Sequence, residues 1–345
     1  MTPSGDIDIR RQGKAGRITL KRPEALNALT YEMCLAIERA LTVWRDDDDI
    51  ALIVIDAEGD KAFCAGGDLE SLYSTGKAGD FSYGRRFWTD EYRLNAMIAE
   101  YPKPYVALMQ GFVMGGGVGV GCHGSHRIVC ETTKVAMPEC GIALIPDVGG
   151  SYLLARAPGR LGEYLAVTGA RMNAADAIYC GFADCFVLRE RWDELIGRLG
   201  ETGDATVIDT FVWDAGNSEI AGRQAEIGAL FGGASALSCL MACEESGSEL
   251  AKNAAAAIRR GCPLSVACAF ELVRRNRRAR SVREALANEL RFTWRSMSEG
   301  EFLEGIRAQI IDKDRKPNWR TSRLEDVTRG QVDAMLAPLD RAAAA

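Results

Sequence analysis

Short apolar runs alternate with stretches of helical spacing through the first half of this 345-residue chain. Gly16–Leu20 (GRITL), Ala51–Ile55 (ALIVI) and Tyr105–Met109 (YVALM) are brief and mostly apolar, and read as strands. Ile128–Val129, Val135–Met137 and Phe186–Leu188 read as shorter ones. Between them, Ala28–Trp44 repeats apolar residues at threes and fours, with Asn27 or Thr30 as its cap. Arg85–Ile98 suits a second helix, closed off by Pro102 and Pro104. From Gly159 the pattern turns helical. Asn173 stands ready to cap Ala174–Tyr179, and Leu250–Arg259, Val266–Arg275, Val282–Met297 and Glu299–Ala308 have helical periodicity or composition. Strands are scarce beyond about residue 205. The pattern predicts an α/β core over residues 1–210 and a helical C-terminal region over 211–345, its last residues, Ala342–Ala345, frayed.

Composition narrows the function. A hydrophobic content of 47% allows one large domain, or a domain with a sizeable appendage. The net charge of -6 disfavours a general nucleic-acid binder. The basic run Arg274–Arg280 (RRNRRAR) reads as a solvated helix end. The eleven cysteines have no regular spacing and no Cys-x-x-Cys pair, so free thiols in a reducing compartment are expected. No run of eighteen apolar residues is present to span a membrane. The start, MTPSGDIDIRRQGKAG, carries acids and lacks the basic amphipathic pattern of a transit segment; the expected location is cytoplasmic. The two histidines, His123 and His126, lie near Cys122 and Cys130, yet a metal site needs three or four convergent ligands, and none is expected here. With so few histidines, acid–base chemistry falls to carboxylates.

The candidate chemistry is concentrated between Gly111 and Gly150. Met114–Gly119 (MGGGVG) follows a strand; a helix starting in it would present free amides to an oxyanion, or the glycines would simply allow close packing. It is neither a Walker loop nor a dinucleotide fingerprint. Ala62–Leu69 (AFCAGGDL) offers a second tight turn that can aim the Gly67 amide at a ligand, or serve as a plain strand-to-helix connection. Glu139, in MPE, and Asp147, in PDVGG, follow apolar runs. Singly they read as a surface acid and a helix cap. Partly buried and close together, they would hold protons tightly and titrate as a pair.

With these motifs in order, Arg22–Leu29 (RPEALNAL), AFCAGGDL, GFVMGGG and MPE, the chain resembles the crotonase (enoyl-CoA hydratase/isomerase) superfamily. The resemblance implies an α/β, crotonase-like spiral of β-β-α units with an extended helical C-terminal region covering the site or forming an interface. It implies an oxyanion hole made by the Gly67 and Gly116 amides, set to receive an acyl-CoA carbonyl. Family hydratases use two glutamates. The second matches Glu139, whereas the first falls on Gly119, which puts ordinary hydration in doubt. Asp147 in IPDVGG, Asp90–Asn95 (DEYRLN) and Phe302–Asp314 with Pro317 and Trp319 resemble the 3-hydroxyisobutyryl-CoA hydrolase branch, which acts in valine breakdown. That branch implies Glu139 and Asp147 as catalytic and Glu91 as a contact to the substrate hydroxyl, with Ala65 and Asp68 as further substrate-binding positions. Lys21 and Arg22 flank a turn after a strand, so they read as contacts for the CoA phosphates or as solvent-facing charges. No cofactor or metal is implied, since CoA is part of the substrate. An acyl-CoA is the expected partner, with no nucleic acid and no membrane; a dimer, trimer or hexamer is left open. An atypical hydratase or isomerase and a non-catalytic acyl-CoA-binding protein are the rival readings.

Overall fold

Among the described residues, nine strands, all before residue 190, carry the frame on which the candidate residues stand. The computed structural model describes residues 5–339. β1 (Ile7–Gln12) runs antiparallel to β2 (Ala15–Leu20); β3 (Leu52–Ala57), β5 (Tyr105–Met109), β7 (His126–Val129) and β9 (Cys185–Phe186) then add in parallel, giving one six-stranded sheet. β4 (Ala62–Cys64), β6 (Phe112–Met114) and β8 (Lys134–Ala136) form a second, three-stranded parallel sheet. From β3 onward, successive strands go alternately to the large and the small sheet. Each β-β-α repeat therefore advances both sheets by one strand.

The described residues pack as two units that interleave along the chain: 5–68 with 90–136 and 171–221, and 69–89 with 137–170 and 222–339. The first unit holds both sheets. β3 and β5 are buried at every residue, as parallel strands covered on both faces are. Leu52, Val54, Val106, Leu108 and Ile128 pack on Trp192, Leu195, Ile196 and Leu199, whose i, i+3, i+4, i+7 spacing makes one apolar stripe of the helix Trp192–Thr202.

The second unit is helical. Pro263–Asn276 packs against Gly150–Arg156 and Leu161–Thr168, so these two segments of the presumed core complete their apolar faces with a C-terminal helix. Packing thus does not follow a sequential division at residue 210. Trp88 packs against Phe302 with ring centroids 5.7 Å apart and the rings tilted by 51°. The short helix Phe302–Ile306 lies so close to the turn at Ile142 that a Cβ at Gly305 would meet the Ile142 carbonyl oxygen at 2.2 Å. The basic run also differs from its reading as a solvated helix end. Arg274 and Arg277, with Arg160, surround the fully buried carboxylate of Glu163 at 3.4, 2.7 and 2.9 Å. A buried acid needs such partners, and two of the three come from more than a hundred residues away.

Candidate active site

Each strand of the small sheet is followed within three residues by one candidate: Gly67 after β4, Gly116 after β6 and Glu139 after β8. The loop after β4 is fixed by the RPEALNAL segment. Ala65 N–H donates to Leu26 O, Leu29 N–H to Gly66 O and Asp68 N–H to Leu29 O, at 2.9–3.0 Å, and Leu29 bridges Gly67 in parallel fashion. Asn27 makes this possible. Its buried amide donates to Glu58 O and Ala62 O and accepts from Arg22 N–H. Asn27 is therefore a turn-builder, and Thr30 caps the helix Tyr31–Arg45.

A single residue, Gly115, separates β6 from the helix Gly116–Gly121. Its φ of 48° and ψ of -120° suit glycine alone. Val118 and Gly119 N–H already bond to Gly115 O, while Gly116 and Gly117 lie in the first turn, where amides have no intrahelical acceptor. The close-packing reading of the glycine run holds at Gly117. A Cβ at Gly117 would lie 2.3 Å from Cys64 O, so this position serves close approach to β4. A Cβ at Gly116 would lie 3.1 Å from Glu91 Oε1 and from Leu29 Cδ1. The first unit thus brings Gly116, Glu91 and Leu29 together. Glu91 is buried and adds its charge to the neighbouring Cys34 and Cys64; burial first, then this charge, pushes the Cys64 thiol up to about 12. That rules out a ready thiolate nucleophile here.

Lys21 and Arg22, expected near the substrate phosphates, have local partners. Lys21 Nζ lies 3.3 Å from Glu58, and Arg22 Nη1 donates to Ala28 O at 2.7 Å. Ala65 and Asp68 are half-buried in the loop that holds Gly67.

Glu139 and Asp147 belong to the second unit, and both are buried. Glu139 opens a 3-10 turn, Glu139–Ile142, and its Oε2 has no hydrogen-bond partner among the described residues. Burial, then the charges of Asp147 and Glu289, hold its carboxyl well above the ordinary range. Asp147 is not the helix cap that its sequence suggested. The helix Gly150–Arg156 begins after Gly149, and Asp147 contributes its carbonyl to Gly150 N–H at 2.6 Å. Between them Val148, a β-branched residue, has φ 50°, a conformation that costs about 1–3 kcal/mol and persists only where its surroundings enforce it.

The sequence reading missed Glu289. It is fully buried on the helix Val282–Ser296 and accepts from Gly149 N–H at 2.8 Å, from Ser151 N–H at 3.1 Å and from the Ser151 hydroxyl. Burial pushes its carboxyl up to about 8 against the pull of these donors, with Asp147 adding to the rise. One signal was available: Glu289 falls on the apolar stripe of Ala285, Leu286 and Phe292, where a surface acid does not belong.

Among the described residues, no group of three His, Cys, Asp or Glu could hold a metal. Cys122 contacts Met109 Sδ and His126 Nδ1 lies 2.9 Å from Ser125 Oγ. All eleven cysteines are free thiols. No described helix is long and apolar enough to cross a membrane.

A family model described as enoyl-CoA hydratase/isomerase matches residues 15–336. The chain belongs to this family. Its fold is the crotonase-type spiral of β-β-α units with an extended helical C-terminal region. A zebrafish (Danio rerio) protein named 3-hydroxyisobutyryl-CoA hydrolase, mitochondrial, is 38% identical over 97% of this chain and 90% of its own length. A crystal structure titled as an enoyl-CoA hydratase from Rhodobacter sphaeroides is 49% identical, covers 97% of this chain and 98% of that one, and superposes with a TM-score of 0.93. One titled as a carnitinyl-CoA dehydratase from Mycobacterium thermoresistibile is 40% identical, covers 98% of each chain and has a TM-score of 0.94. The family is common ground; the reactions in these names differ.

Proposed function

We propose that this protein hydrolyses the thioester of 3-hydroxyisobutyryl-CoA, or a close 3-hydroxyacyl-CoA, to free CoA and the hydroxy acid, as in valine breakdown. One observation carries the reading: a buried Glu139–Asp147 pair is combined with glycine at position 119, where a family hydratase would have its other acid. The name of the zebrafish relative supports it.

In this reading the Gly67 and Gly116 amides receive the thioester oxygen as it becomes negative; each such donor contributes about 2.7–4 kcal/mol of transition-state stabilisation. Glu139, once ionised, is a strong base because burial raises its proton affinity. It takes a proton from water as the new C–O bond forms, or attacks directly to give an anhydride that water then opens. The C–S bond breaks and the leaving sulfur takes a proton, with Asp147 assisting. Glu91, beside Gly116, accepts the hydroxyl of the acyl group, so an acyl chain lacking it forgoes that hydrogen bond. The chemistry calls for no metal, flavin or nicotinamide.

Hydration is the second reading, favoured by the titles of the two structures. Gly119 counts against it: the helix Gly116–Gly121 has no acid to offer. The test gives purified protein 3-hydroxyisobutyryl-CoA and crotonyl-CoA in parallel, following released thiol and the mass of the acyl products. CoA release from the hydroxyacyl substrate alone supports hydrolysis. Loss or migration of the crotonyl double bond without CoA release would overturn it in favour of a hydratase or isomerase. Tight binding without turnover would make the protein an acyl-CoA carrier.

A further inference from the structure

Among the described residues whose charges act on Glu139, Glu289 is the buried acid to which the proposed chemistry gives no part. Helix N-termini are ordinarily capped by a serine, threonine or aspartate at the N-cap position. The helix Gly150–Arg156 has Gly149 there, with no side chain to cap it. The capping group arrives instead from 140 residues away. Glu289 Oε2 takes Gly149 N–H, and Oε1 takes both the amide and the hydroxyl of Ser151. The clamp is itself held. Asn276 Nδ2 donates to Ser151 Oγ at 2.6 Å, and Asn288 Nδ2 to Asn276 Oδ1 at 2.8 Å. All of these donors lie on one side of a turn whose other end is Asp147 and whose middle, Val148, is in the left-handed region.

We propose that Glu289 is a positioning residue for Asp147: its carboxylate holds the strained turn 147–151 in the one backbone conformation that keeps Asp147 in place beside Glu139. Two independent observations meet here. A β-branched residue at positive φ must be enforced from outside, and the only side chain bonded to both Gly149 and Ser151 in the hydrogen bonds described is Glu289. Released, Val148 would relax toward negative φ and swing the Asp147 peptide. The catalytic consequence rests on the hydrolase reading; the clamp does not.

The test uses the full chain as Glu289→Gln, Ser151→Ala, Asp147→Asn and the double variant Glu289→Gln/Asp147→Asn. Two readouts are taken. Amide exchange of the peptide covering 147–152 reports the clamp whatever the substrate. Steady-state hydrolysis of 3-hydroxyisobutyryl-CoA reports its effect. We expect faster exchange confined to 147–152 in Glu289→Gln. Its kcat should fall by about 10- to 100-fold at nearly constant KM, since misplacing a reacting group by about 1 Å has effects on this order. In the Asp147→Asn background the same change should have almost no further effect on kcat, because residues acting through one another are not additive. Ser151→Ala, which keeps the Gly149 bond, should show the same pattern more weakly, and it serves alone if the glutamine variant does not fold. Unchanged exchange overturns the clamp. An equal loss of kcat in both backgrounds overturns positioning through Asp147. A parent protein that releases no CoA overturns the hydrolase reading, with the exchange result still deciding the clamp.

Discussion

Gly117→Ala places a methyl carbon 2.3 Å from the Cys64 carbonyl oxygen, where carbon and carbonyl oxygen normally stay about 3.3–3.6 Å apart. Both groups are backbone-bound, so the conflict is relieved only by moving the helix Gly116–Gly121 away from β4 by about 1 Å. Overpacking of this kind destabilises by about 1–3 kcal/mol. The same shift carries the Gly116 amide with it. A donor that must stand about 2.7–3.1 Å from the oxyanion then loses its bond, a loss of about 2.7–4 kcal/mol, or roughly 10²–10³ in kcat. The assay is CoA release at saturating 3-hydroxyisobutyryl-CoA beside a thermal melt. Gly116→Ala is the control: its methyl meets the ends of the Glu91 and Leu29 side chains at 3.1 Å, which can yield by a few tenths of an ångström. It should melt close to the parent while losing discrimination between hydroxyacyl and unsubstituted acyl-CoA. If Gly117→Ala kept a kcat within about threefold of the parent, against the loss expected for a missing donor, the oxyanion role of this helix start would be refuted.

Glu139→Gln should fold normally and lose roughly 10²–10⁴ in kcat, the range of general acid–base assistance; full turnover removes Glu139 from the mechanism. Because its folded carboxyl binds a proton more tightly than an unfolded one, Glu139 destabilises the parent as pH rises through that raised value, so Glu139→Gln should gain stability over the parent on the alkaline side, as denaturant titration at two pH values would read. kcat/KM should rise with pH with a midpoint above the ordinary carboxylate range, and Asp147→Asn, by removing a repelling charge, should move that midpoint down; an unmoved midpoint would show that the acids are not coupled. Glu163→Ala leaves three arginines around an empty buried site and should destabilise by about 3–5 kcal/mol; a shift below about 1 kcal/mol would mean that the arginines find water instead.

What the sequence revealed was what depends on near neighbours. Ala174–Tyr179 forms as read, with Asn173 and Asp176 making a reciprocal capping box, because that signal lies within four residues. β5 has the limits that its apolar run implies. β1 escaped notice because IDIRRQ is half charged, as an edge strand can be. β4 lies inside a segment that reads as a tight turn and β6 inside the GFVMGGG motif, since three-residue strands borrow their definition from partners far along the chain. The helix Trp192–Thr202 carries a local signal too, its apolar residues at 192, 195, 196 and 199. The motifs supplied the candidates Gly67, Gly116, Glu139, Asp147 and Glu91, while Glu289 stayed hidden in ALANELRF. An acid that caps a helix 140 residues earlier leaves no local pattern beyond its place on an apolar stripe. Arg274 and Arg277 looked solvated for the same reason: Glu163 is their partner only in three dimensions.

The small sheet sets out its candidate groups one strand end at a time. β4, β6 and β8 pair through backbone groups, and the groups proposed to react sit just past each strand, on residues that the pairing of this sheet does not use. A frame built this way separates the parts that must be kept from the parts that are free to vary. Exchanging one residue after one strand, a glycine for an acid at 119 or an acid for a glycine at 147, changes which protons are available without touching a ladder bond. Divergence among thioester chemistries is then a matter of editing single loop positions, and libraries restricted to 65–68, 115–119 and 137–148 are the natural place to look for neighbouring reactions.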